Sequence, residues 1–161
     1  MRSVIKGRRI VEDRWQSIAD DAELPAGAVI VALARWRRER AALLARDEPV
    51  GVRLPNTADV TELAEDLPKL AVVALEFPKF SDGRAYSQAR LLRERFGYRG
   101  EIRAVGDVLR DQLFFMARSG FDAFELREDR SLEEALAAFG DFSESYQPAA
   151  DQPQPLYRRA R

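Results

Sequence analysis

The chain contains neither cysteine nor histidine among its 161 residues. Without cysteine there is no disulfide, no thiolate nucleophile and no cysteine-ligated iron–sulfur cluster. Without either residue there is no zinc site of the usual nitrogen or sulfur kind, no haem ligation of the usual kind and no Ser-His-Asp triad. General acid–base work falls to Asp, Glu, Lys or Tyr, with pKa values tuned by their surroundings. No apolar run reaches membrane-spanning length, so no membrane partner is expected. The sequence has no Walker pattern and no G-x-G-x-x-G, the usual nucleotide fingerprints, and no cofactor is implied. A surplus of one charge is also missing. The 26 basic and 27 acidic residues leave a net charge of −1, too little positive field to draw in nucleic acid.

What is present fits a soluble α/β domain. Apolar residues make up 46% and charged residues 33% of the chain, enough for one core and a well-solvated surface. A chain of this length buries roughly 70% of its unfolded surface and needs no staple. The amino terminus, MRSVIKGRRIVEDRW, is too charged for a signal peptide, and a cytoplasmic location is expected.

The pattern predicts one α/β domain over residues 1–146. A β-hairpin occupies 1–15, turning at Lys6-Gly7-Arg8, and βα repeats fill 28–140. Short β-branched runs at 29–33, 50–54, 70–77, 101–105 and 123–126 read as about five strands. Helical periods fall at 35–46, 59–67, from 82 or 83 to 96, 108–119 and 132–139. Ser131 with Glu134 and Asp59 with Glu62 have capping-box spacing, Asp107 stands where a cap would precede Val108, and Gly120 is a helix stop. The tail 147–161, with Pro148, Pro153 and Pro155, lacks period and is expected to be poorly ordered. Strands alternating with helices imply parallel strands joined by right-handed crossovers.

The strands are not uniformly apolar. Strand parity puts Arg53, Glu76, Arg103 and Glu125 on one side, and Val52, Leu54, Leu75, Phe77, Ile102, Ala104, Phe124 and Leu126 on the other. A doubly wound sheet needs both faces apolar, so charges here favour helices on one face. The signs alternate along the chain. If consecutive strands are neighbours, each Arg faces a Glu across about 4.8 Å. The expected fold is an open, half-barrel-like parallel sheet of sequential βα units, its concave side carrying an Arg/Glu ladder. A strand order with Arg53 remote from Glu76 would refute it. Such a ladder either neutralises itself as structure or yields in part to an anion, which the fork of Arg suits.

Ligands in open α/β sheets gather at the carboxyl ends of strands. That rim collects Arg53 and Asn56, Glu76 and Lys79, Ser81 to Arg84, Arg103, Gly106 and Asp107, then Glu125 and Arg127. Lys79, Arg84 and Arg103 are the candidate anion-binding cations, with the backbone of Gly83 and the side chains of Asp111 and Gln112 as further contacts. Asp82 and Asp107 either hold those cations or serve as proton acceptors, which makes them the candidate catalytic bases. Each has a plainer reading: Asp82 as a helix cap, Gly83 as a turn residue, Asp111 and Gln112 as exposed polar positions. Phe80 and Tyr86 read as packing residues. Arg35, Arg37, Arg38 and Arg40, diluted by acidic neighbours, read as a solvated face. Phe114, Phe115 and Met116 are either buried between helices or a partner surface.

The run FPKFSDGRAYSQARLLRERFGYRGEIRAVGDVLRDQLFFMARSGFDAFEL resembles the core of a bacterial family, domain-of-unknown-function family 934. The likeness spans 77–126, with support back to about residue 29. The positions matching the family pattern are Phe80, Asp82, Gly83, Arg84, Ser87, Arg103, Gly106, Asp107, Asp111 and Gln112. Members are described as probable oxidoreductases of sulfite reduction, so the resemblance implies a place in sulfur assimilation. Sulfite reduction takes six electrons and needs a cofactor to carry them, and this chain lacks the ligands for one. The expectation is therefore an accessory protein of assimilatory sulfate or sulfite reduction, binding a small sulfur oxyanion or an enzyme of that pathway. Two alternatives stay open: a cofactor-light enzyme acting on a small anion at the rim, and a structural interaction protein. A bare sheet face also admits a homodimer.

Overall fold

A computed structural model describes residues 2–79, 81–126 and 132–143. Within them lies one eight-stranded sheet: β1 (Ser3–Lys6), β2 (Arg9–Glu12), β3 (Gln16–Ser17), β4 (Val29–Ala32), β5 (Val50–Leu54), β6 (Val72–Phe77), β7 (Glu101–Gly106) and β8 (Ala123–Phe124). The spatial order is β2-β1-β8-β7-β6-β5-β4-β3. From β3 to β8 every neighbour is parallel and consecutive in the chain. This is the open half-barrel expected from the sequential βα pattern.

The strand count differs from the expected five because both edges are extended. The amino-terminal hairpin turns at Gly7, whose φ is +64°. It then adds to the sheet, β1 running antiparallel to β8 with Ile5 opposite Phe124. At the other edge Gln16 and Ser17 pair with Val29 and Ile30. A two-residue strand carries no period to read.

The helices are α1 (Leu33–Leu44), α2 (Arg84–Arg90), α3 (Leu113–Ser119) and α4 (Leu132–Ser143). α2 continues into a π-helical turn, Leu91–Arg95. The helix expected over 59–67 is instead two 3₁₀ turns, Val60–Leu63 and Leu67–Lys69. Pro68 lies in the first turn of the second segment, where its missing N–H is no loss. Asp59 does cap the first turn, accepting the Thr61 N–H at 2.9 Å, but Glu62 turns away to Arg37. Asp107 is not a helix cap. Its N–H bonds to Phe77 O at 2.8 Å, and helical structure resumes only at the 3₁₀ turn Arg110–Gln112. Gly120 ends α3 with φ +118°, as a left-handed stop requires. Ser131, Arg127, Phe80 and the tail 147–161 lie outside the described residues.

Strand parity divides the sheet as read from sequence. Val52, Leu54, Leu75, Phe77, Ile102, Ala104 and Phe124 join one core with Trp36 and Leu43 of α1, Ala85 and Ala89 of α2, and Leu113 and Met116 of α3. Among the described residues the opposite face holds a small cluster, Ile30, Val72 and Ala74, with Trp15 and Val105 packed against it. Gly51, in mid-strand, leaves no room for a side chain. A Cβ on Gly51 would sit 2.8 Å from Val72 O and 2.9 Å from Val72 Cβ. No helix among the described residues is long and apolar enough to cross a membrane.

Candidate functional site

The charged residues on the face away from the helices form two separate groups. Arg103 anchors the first. Its Nε donates to Glu101 Oε2 at 2.7 Å, and Nη1 donates to Asp13 Oδ2 at 3.0 Å and Glu125 Oε2 at 2.8 Å. Arg2 reaches Asp13 and Glu125, and Lys6 reaches Glu101. The Arg103 side chain is 2% exposed and that of Asp13 is 1% exposed. Burial costs the guanidinium solvation, but three carboxylates outweigh that loss and hold its pKa above the usual arginine value. The group pins the segment after β2 across β7 and β8.

Arg53 and Glu76 form the second group. Arg53 lies in register with Ala32 on one side and Ala74 on the other. Glu76 stands two residues further toward the carboxyl rim, and its Oε2 accepts Arg53 Nε at 2.8 Å. The ladder expected from parity therefore forms as the neighbouring pairs Arg53–Glu76 and Arg103–Glu125. Both side chains of the first pair are about one-third exposed. Among the described residues, neither terminal nitrogen of Arg53 makes a hydrogen bond.

A cavity of about 400 Å³ opens beside this pair, lined by Ala32, Leu33, Ala34, Arg37, Arg53, Pro55, Thr57, Ala58 and Glu76. It sits at the carboxyl ends of β4, β5 and β6, where the chain topology directs ligands in open α/β sheets. Its walls are set by local structure. β4 runs straight into α1 with no loop, and Ala32 has no side chain to cap the first helical turn. The 55–58 loop is held from below by Gln88 of α2, whose Nε2 donates to Pro55 O at 3.0 Å and Ala58 O at 2.9 Å. Arg37 is occupied by a bidentate pair with Glu62, which keeps the Glu62 carboxyl below its usual value. Arg53 is thus the cavity's available cation and Glu76 its available carboxylate.

The candidates read from sequence fall differently. Asp82 and Arg84 bind each other through two side-chain contacts of 3.2 and 2.9 Å. Asp82 also accepts the Arg84 N–H at 3.1 Å. The Arg84 side chain, then its backbone, and less strongly Asn56 hold the Asp82 carboxyl down at about 2. A carboxylate so stabilised is a poor proton acceptor, and it occupies the backbone N–H an anion would seek. Gly83 is the residue before α2, with φ −90° and no cap bond of its own. Lys79 is exposed nearby.

Arg103 does not join Lys79 and Arg84. It projects from mid-strand to the opposite face, where its carboxylate partners hold it. Asp107 is tied to the end of β6 through its backbone, and Asp111 is exposed beside Arg110. Gln112 precedes α3. Gly106 has φ +97°, and a Cβ there would meet Phe77 O at 2.5 Å, so its place in the pattern follows from backbone shape. Tyr86 packs edge-on to Phe77 and against Phe115, and burial pushes its phenol up to about 12. No group of three or more acidic side chains that could hold a metal occurs among the described residues.

Arg53 and Glu76 are legible from sequence as rim residues on one face, but the cavity beside them is not. The missing signal was the direct join of β4 to α1, which brings Ala32, Leu33 and Ala34 against Arg53.

Fold and rim together define a one-sided α/β half-barrel with a carboxyl-end pocket. The chain belongs to the family described as "Bacterial protein of unknown function (DUF934)", whose model matches residues 51–157. No curated protein and no solved structure matches it.

Proposed function

We propose that the protein is an anion-binding accessory protein acting in assimilatory sulfate or sulfite reduction, with the carboxyl-end cavity as its binding site. One observation carries the binding half of this reading. Arg53 is oriented by Glu76 through Nε, while neither of its terminal nitrogens makes a hydrogen bond among the described residues, beside a cavity of about 400 Å³. A guanidinium in that state offers two parallel donors to a carboxylate, sulfite or phosphate. The pathway half rests on the resemblance of the 77–126 core alone.

Calorimetric titration with sulfite and sulfate tests the binding. Arg53→Met should weaken it at least about tenfold, the effect of losing one charge-assisted contact. Arg38→Met, at an exposed pair with Asp20, should not. Equal binding by wild type and Arg53→Met would remove the reading. Growth of a deletion strain on sulfate and on cysteine tests the pathway. A defect cured by cysteine supports it, and equal growth on both withdraws it.

The reading as an interaction protein has one observation in its favour. Phe115 is 48% exposed and Leu91 40% exposed. Light scattering on the purified protein, with Phe115→Ser as the control, tests for self-association through these side chains.

A further inference from the structure

The ligand class can be narrowed from the make-up of the same cavity. This inference rests on the reading of that cavity as a binding site. Three features count. The volume, about 400 Å³, lies in the range of sites for small organic molecules and far exceeds the need of one tetrahedral ion. Ala32, Leu33, Ala34, Pro55 and Ala58 give much of the wall an apolar surface. Glu76 stands directly beside the one available cation, its Oε2 only 2.8 Å from Arg53 Nε.

Glu76 decides between ligand types. A bare dianion bound to Arg53 would lie close to this carboxylate with nothing to offer it, and the repulsion would offset part of the gain. A ligand with a hydroxyl or amino group near its anionic end places a donor there instead. Glu76 Oε1, which makes no bond among the described residues, then accepts it. The organic body of the same ligand covers the alanine, leucine and proline wall and removes that surface from water.

We infer that the cavity takes a small organic anion bearing a hydrogen-bond donor, its anionic group on Arg53, its donor on Glu76 and its apolar part against the Ala32–Ala34 and Pro55–Ala58 walls. An inorganic oxyanion fills only the Arg53 end.

Three probes that share a phosphate group, the last also carrying an ammonium, separate the contributions: inorganic phosphate, ethyl phosphate and 2-aminoethyl phosphate. Each is titrated calorimetrically into the full chain at fixed ionic strength. The expected order is inorganic phosphate weakest, ethyl phosphate next and 2-aminoethyl phosphate tightest. The last step should be about tenfold or more, for one charge-assisted hydrogen bond from the ammonium to the Glu76 carboxylate. Glu76→Gln should raise the affinity for the first two probes and erase the preference for the third. The order on the unmodified protein decides the matter even if a variant folds poorly. Inorganic phosphate binding as tightly as 2-aminoethyl phosphate, with Arg53→Met weakening both, would overturn this inference and leave the anion site standing. Absence of binding by all three probes and by sulfite, or binding indifferent to Arg53→Met, would overturn both.

Discussion

Removing Arg103 should destabilise the fold more than removing any exposed arginine. Its guanidinium is almost fully buried and bonds three carboxylates, Glu101, Asp13 and Glu125. In Arg103→Met those carboxylates lose their shared cation. Arg2 and Lys6 are left to compensate, and both side chains are more than half exposed. Breaking a buried ion pair from one side costs about 3–5 kcal/mol, because the remaining charge stays desolvated. A domain's whole stability is about 5–15 kcal/mol, so this loss is a large share of it. At about 2–4 °C per kcal/mol for a chain of this size, the melting temperature should fall by about 6–20 °C. Urea unfolding followed by circular dichroism measures the effect. Arg2→Met, at the exposed end of the same network, should cost under about 1 kcal/mol. Adding Glu101→Gln to Arg103→Met should cost less than the sum of the two single changes, by about 0.5–3 kcal/mol, since the two residues are in direct contact. An Arg103→Met protein within about 1 kcal/mol of wild type would refute the view of this cluster as the clamp on the amino-terminal segment.

Three further outcomes follow from geometry. Gly106→Ala forces a side chain into a backbone at φ +97° and against Phe77 O, and should cost about 1–3 kcal/mol in urea unfolding; a neutral change would show that the β6–β7 rim relaxes freely. Tyr98 donates its hydroxyl to Leu70 O at 2.9 Å, and burial raises its phenol pKa above the usual value. The native state thus holds that proton longer than the unfolded chain, and this contribution to stability is full below about pH 10 and fades as pH rises toward the raised value. Tyr98→Phe should flatten that alkaline loss and cost about 1–3 kcal/mol at neutral pH by orphaning the carbonyl. Asp82 should titrate near 2 by carbon-detected NMR, staying ionised well below the usual aspartate range; in Arg84→Met its midpoint should rise toward that range, and no rise would remove Arg84 as the cause.

The face of each strand was legible because side chains alternate strictly along β-structure. Parity alone put Arg53, Glu76, Arg103 and Glu125 together, and the one-sided helix layer followed. Consecutive parallel order was legible from the βα rhythm and placed Arg53 beside Glu76. The length of the sheet was not. β1 joins β8 across most of the chain, and no local pattern announces a partner so distant in sequence. Nor was the fate of Asp82. Its distance from Arg84 is two residues, yet whether it faces solvent, a ligand or its neighbour depends on the turn it adopts.

Composition and period by themselves determined the chemistry this protein lacks, its α/β rhythm and the polarity of each sheet face. These depend on residue type and spacing, which need no coordinates. Only the tertiary structure decided that Arg103 is locked among carboxylates while, among the described residues, the terminal nitrogens of Arg53 make no hydrogen bond beside a cavity. The two arginines occupy equivalent strand positions and differ in what distant segments bring against them: Asp13 from the amino-terminal strap in one case, the bare start of α1 in the other.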